Sequence, residues 1–171
     1  KQVLSLVERY YGVAPTHELP VRKPQVEPVQ KGIKQVQVKA PADSAQLAMA
    51  WKVPRLEPGK LDDVEPYALE LLTAVLDGYD NARLNRTLVK QEKVVNDVGV
   101  GYDMISRGPE LFLISVTMAK GKTVDQAQAS IRKALDELKQ KGILESELKR
   151  IKVRILSRSE ERRVGKECLR L

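Results

Sequence analysis

The chain holds one histidine, His17, and one cysteine, Cys168, among its 171 residues. One cysteine excludes an internal disulfide. One histidine excludes any site built on a histidine pair, and no Ser-His-Asp or Cys-His arrangement can be assembled around it. Aromatic residues make up only 4%, so aliphatic side chains must fill the core. No run of about 18 apolar residues exists, which excludes a helical membrane span. The opening residues KQVLSLVERYYG lack the continuous apolar segment of a signal peptide. The chain also lacks an initiator Met, and it reads as a piece of something longer.

What is present fits a soluble globular domain with a real core: 42% hydrophobic and 31% charged residues. The net charge of +7 admits nucleic acid, an anionic surface or an acidic partner, although a solvated basic surface is the ordinary explanation. The excess is concentrated in Arg22–Lys39 and Lys139–Arg158. In the second stretch Lys and Arg are spread along helices, where such side chains shield apolar faces.

Residues 2–11 place Val3, Leu4, Val7 and Tyr11 on one helical face, ended by Gly12 and Pro15. Residues 14–32 carry Pro15, Pro20, Pro24 and Pro28 and read as a stiff extended linker. Residues 33–39 and 46–53 alternate at period two and read as strands. Ala48 and Ala50 on one face of the second suggest a strand interior to a sheet, with close packing on that side. Pro66 suits the first turn of a helix carrying Ala68, Leu71, Leu72, Val75 and Leu76 inward, with Gly78 as its cap. Asp80 or Asn81 can cap a further helix to about Gln91, with Leu84 and Leu88 inward.

Residues 94–104 and 111–118 read as strands joined through Arg107-Gly108-Pro109. Thr123 to Gln126 forms a capping-box sequence before a helix that presents Ala127, Ile131, Ala134, Leu135 and Leu138. Gly142 ends it, and a last helix starts near Glu145. The expected fold is α+β, a mostly antiparallel sheet with helices on one face in the order ββααββαα, preceded by a helix and a Pro-rich linker.

The candidate chemistry is thin. His17 lies in the linker with no acidic or thiol ligand at metal spacing, which favours an exposed linker histidine. Asp62 and Asp63 lie in a loop, and Asp77 and Asp80 bracket a turn. Turn formation and capping account for both pairs. Gly99-Val100-Gly101 lies inside a strand, so it is a bulge or a close backbone approach rather than a phosphate loop. Arg83, Arg86 and Lys90 share one helix face. Either they form a solvent-facing stripe or they meet an acidic patch of a partner domain or a peptide carboxylate. Tyr79 and Tyr102 are the only aromatics that could serve single-stranded nucleic acid among basic residues.

Several stretches, in order, resemble the pitrilysin/insulinase family of zinc metallopeptidases: QVLSLVERYYGVAP, LAMAWKVP, PYALELLTAVLDGYDNARLNRTLV, SRGPELFLISVTMAKGKTVDQAQASIRKALDELKQKGI and ESELKRIK. The resemblance covers most of residues 1–158. It departs at Leu144, where the family usually has a Ser or Thr cap, and in the more polar DGYDNARL turn. Its inverted motif, His-x-x-Glu-His, cannot be present with one histidine.

The resemblance implies that residues 1–13 are the last helix of a preceding zinc-bearing unit, 14–32 a linker, and 33–158 a second, non-catalytic unit. No catalytic or metal-binding residue of the family maps onto this chain, and no substrate-binding residue can be named. Zinc is implied for the parent protein only. The implied partners are the zinc-bearing unit of the same polypeptide, a second homologous domain or subunit, and a peptide enclosed in a chamber. A periplasmic or secreted parent also follows from the resemblance alone. Residues 159–171 lose the apolar spacing and read as a non-native tail. The alternatives are a scaffold subunit of the same superfamily and a basic nucleic-acid-binding module.

Overall fold

The computed structural model describes residues 2–15, 18 and 28–167, with side chains of the last helix as far as residue 157. His17 and Cys168 lie outside these residues. The chain forms two compact units, Lys1–Val36 and Gln37–Leu171.

The first unit contains helix α1, Gln2–Tyr11. It stops at Gly12, whose N–H donates to the Glu8 carbonyl at 3.0 Å. No residue of α1 is buried, so the face of Val3, Leu4, Val7 and Tyr11 is amphipathic without a cover among the described residues.

The expected strand at 33–39 does not form. Ile33, Val36 and Val38 lie exposed in extended chain with no sheet pairing. Alternation says where side chains would point in a strand, but a strand also needs a neighbour to take its backbone N–H and C=O groups. None is present among the described residues.

In the second unit, strands β1 (Gln46–Val53), β2 (Val95–Gly101) and β3 (Glu110–Met118) make one antiparallel sheet in the order β1-β3-β2. The expected interior position of β1 is therefore corrected. The central strand is β3, the most apolar of the three, and β1 is an edge. The register places Met49 opposite Ile114 and Ile114 opposite Val100. Phe112, Ile114, Val116 and Met118 all point to one face and are buried. The opposite face carries Ala48, Ser115 and Gly99 in one row and Ala50, Leu113 and Gly101 in the next.

All of the helical layer lies on the buried face. Helix α2, Val64–Asp77, starts where the Asp63 carboxylate accepts from the Glu65 N–H at 3.1 Å. It sends Leu76 into the core, with Val75 also fully buried. A π-helical segment, Asn85–Gln91, follows. In it the Glu92 N–H reaches the Thr87 carbonyl at 2.8 Å, a wider closure than in an α-helix. Leu84 and Leu88 are fully buried, as their spacing implies, but neither Asp80 nor Asn81 caps the segment. The flanking position is Leu84, with no side-chain cap. Asn81 instead accepts from Lys90.

Helix α3, Val124–Lys141, opens on the expected capping box. The Thr123 hydroxyl accepts from the Gln126 N–H, and the Gln126 side chain accepts from the Thr123 N–H. It ends at Gly142, where a φ of 68° favours a residue without a Cβ. Helix α4, Glu145–Glu167, has Ile151 buried. Its backbone runs on through residues 159–167, past the point where the apolar spacing fades.

In β2 the register slips between Val95 and Asp97, so the irregularity sits at Asn96 and not at the glycines. The Asn96 side chain donates to the Met118 carbonyl at 3.2 Å. Gly99 does mark a close approach: a Cβ there would stand 3.2 Å from the Ser115 hydroxyl.

The two faces of β3 predict opposite mutational costs. Ile114→Ala should cost about 3 kcal/mol, because it opens a cavity in a filled core. Its neighbour Leu113, 37% exposed on the open face, should cost less than about 1 kcal/mol when changed to Ala. Urea denaturation of the two variants measures the difference, and equal costs would mean that both faces are packed.

Candidate functional site

The helical layer folds around a groove of about 900 Å³ between the π segment, α3 and α4. Its cationic lining is Arg83, Arg86, Lys133, Lys141, Arg150 and Arg154. Three of the carboxylates that could answer them, Glu92, Glu137 and Glu147, also line it.

Arg83 is committed within the chain. Its Nη2 donates to Glu147 Oε2 at 2.6 Å, its Nε donates to Oε1 at 3.2 Å, and Nη2 also reaches the Gly142 carbonyl at 3.2 Å. The two side chains are only 21% and 12% exposed. This fork holds the C-terminal end of α3 and the first turn of α4 against the start of the π segment. The hydrogen bond from Arg83 holds the Glu147 carboxyl below the ordinary glutamate range despite the desolvation that opposes it. The same bond raises the Arg83 guanidinium. The expected alternatives for Arg83, a solvent-facing stripe or a partner's acid, are thus both replaced by an internal partner, Glu147.

Two further arginines converge on one ring. The guanidinium carbons of Arg150 and Arg154 stand 5.7 and 5.5 Å from the Tyr79 ring centroid. Arg150 also donates to the Tyr79 hydroxyl at 3.4 Å. The tyrosine's negative π-face holds both cations. Lys141 pairs loosely with Glu137 at 3.6 Å, an exposed pair of little energetic weight. Sequence reading passed over Lys133, Arg150 and Arg154. The one signal was the i, i+4 spacing of Arg150 and Arg154 inside a stretch read as a shield for apolar surface.

The remaining candidates take structural places. Asp63 caps α2. Asp77 lies at the end of α2, where its carboxylate accepts from the Val100 N–H at 3.2 Å and from the Asn85 side chain at 3.5 Å. Burial raises its pKa, and the two hydrogen bonds oppose that rise. Its role is to occupy an outward N–H on the edge strand β2. Tyr102 donates to the Pro54 carbonyl at 2.7 Å and packs near Phe112. Gly99 and Gly101 lie in β2. Among the described residues no three His, Cys, Asp or Glu side chains are grouped to hold a metal ion, and no helix is long and apolar enough to cross a membrane.

The comparisons match this α+β unit. The family model described as Peptidase M16 inactive domain covers residues 1–154. The chain belongs to the M16 peptidase family, as its inactive domain, in keeping with the pitrilysin/insulinase resemblance. A similar solved structure is that of a protease from Helicobacter pylori, with a TM-score of 0.61 and 20% identity. The match covers 68% of this chain and 27% of that one, so this chain spans about a quarter of that protease. At that identity the likeness concerns the fold. No curated protein matches.

Glu147 should give the unit an acid-labile contribution. Its folded pKa lies below its unfolded value, so the contribution is complete above the ordinary glutamate pKa of about 4.3 and is lost as pH falls through the folded value. Glu147→Gln should cost about 1–2 kcal/mol at neutral pH and flatten the acid limb of the stability curve. Thermal melts across the acid range read both effects, and an unchanged acid limb would remove this pair from the ledger. Leu144, exposed at the position before α4, offers no cap. Leu144→Ser should add about 1 kcal/mol in urea titration.

Proposed function

We propose that this chain is the metal-free part of a zinc-dependent metalloendopeptidase, completing the domain and the wall of a peptide-enclosing chamber. The observation that carries this is the family match to an inactive domain over residues 1–154. On this reading zinc chemistry belongs to a separate unit of the parent protein, and no step of peptide hydrolysis is assigned to this chain.

The open face of the sheet supports the wall role. Its rows of Ala, Gly, Ser and Leu side chains project little from the backbone, so a neighbouring layer or an extended peptide can lie close. Among the described residues no strand pairs with the outer edge of β1, which there offers backbone groups for strand addition. On this reading the partners are the zinc-bearing unit, a second homologous domain or subunit, and the peptide.

A fluorogenic peptide assay tests the reading. The purified chain with added zinc should release no signal, while addition of the zinc-bearing unit should bring both association and chelator-sensitive cleavage. Chelator-sensitive turnover by the chain alone would overturn the assignment, as would a zinc-bearing unit that is fully active and does not bind this chain.

A further inference from the structure

We propose that the groove between the π segment, α3 and α4 is a docking site for an acidic helical segment of a partner protein, with carboxylates spaced one helical turn apart. This goes beyond the peptidase reading and does not depend on it.

The argument starts from unanswered charge. Glu147 answers Arg83, and Glu137 answers Lys141. Among the described residues, Arg86, Lys133, Arg150 and Arg154 form no ion pair. Glu92 is the one lining carboxylate left over. Arg150 and Arg154 are both held within about 6 Å of the centre of one ring. The ring attracts the two cations but leaves most of their guanidinium N–H donors without an anion. Holding like charges together is unfavourable, and an anion placed between them relieves it.

The groove itself shows which anion it recognises. The Arg83–Glu147 fork is a built guanidinium–carboxylate contact in its wall, and the fields of Arg150 and Arg86 also act on that carboxylate. Arg150 and Arg154 line the same groove one turn apart on α4. Carboxylates at i and i+4 on a docking helix present the same spacing. A phosphate chain or a nucleic-acid strand fits less well. Glu92, Glu137 and Glu147 are interleaved with the cations and would repel a continuous polyanion, whereas spaced carboxylates can alternate with them. Guanidinium forks also match the planar carboxylate in two-point contact.

Fluorescence anisotropy on the intact chain tests this with a labelled helical peptide bearing glutamates at i and i+4. Binding should weaken as salt rises. The double variant Arg150→Gln/Arg154→Gln, its fold checked by circular dichroism, should bind the peptide at least about tenfold more weakly. Arg107→Gln, an exposed change that does not line the groove, should leave binding unchanged. A peptide of equal charge with its glutamates moved out of i, i+4 register should also bind more weakly. Equal binding of the two peptides would overturn the proposal by reducing the groove to a diffuse basic surface. Inorganic triphosphate binding as tightly as the in-register peptide, and displacing it, would overturn it in favour of a phosphate site.

Discussion

A three-stranded sheet can hide only one of its faces, and β3 decides which. Its alternate residues Phe112, Ile114, Val116 and Met118 are apolar and buried, and both neighbours hydrogen-bond to it in a register that continues this face with Met49 and Val98. Every helix of the unit must then pack on that side, because no other surface offers enough apolar area. The opposite face is the more exposed one as a direct consequence, with Leu111 and Leu113 45% and 37% exposed. Among the described residues no strand pairs with the outer edges of β1 or β2, and Asp77, a carboxylate that burial penalises, accepts from one outward N–H of β2.

The helical layer depends on a second, smaller constraint. Helix α4 begins without a side-chain cap, since Leu144 has no acceptor to offer. Glu147 in the first turn suits the positive end of the helix dipole. Arg83 ties that carboxylate to the π segment and, through the Gly142 carbonyl, to the end of α3. One guanidinium thereby fixes three elements. This is stronger than capping alone, because the two-point geometry sets orientation as well as distance. It also positions the walls of the groove on which Arg86, Arg150 and Arg154 stand.

What the residues foretold was local, and what they missed was not. The Thr123–Gln126 box, the inward pair Leu84 and Leu88 and the alternation of β3 each depend on neighbours within a turn or two of chain, and the structure has them; in α2 the inward set holds at Leu72, Val75 and Leu76, while Ala68 is exposed and Leu69 packs on the core instead. Residues 33–39 carry as clean an alternation as any strand, yet a strand needs a partner that local pattern does not name. The same limit misplaced β1 at the centre of the sheet: small residues at Ala48 and Ala50 were compatible with close packing, but they also leave an edge strand flat. Asn81 had the chemistry of a cap and was taken instead by Lys90, nine residues on. Arg83 met Glu147 across 64 residues, a distance over which spacing carries no information. The groove was invisible for the same reason, since its cations come from three separate elements.

These facts give the unit its physical character. The sheet side carries mostly small and aliphatic side chains, with Lys52 and Asp97 as its charges. The helical side is grooved and basic, with its cations held by Tyr79 and by the Arg83 fork. Two surfaces of such different chemistry cannot favour the same neighbour. A smooth face gains from close apolar contact, which is insensitive to salt, whereas a basic groove gains from charge, which salt screens. A unit of this kind can therefore be held by two neighbours at once, and its two attachments answer to different conditions.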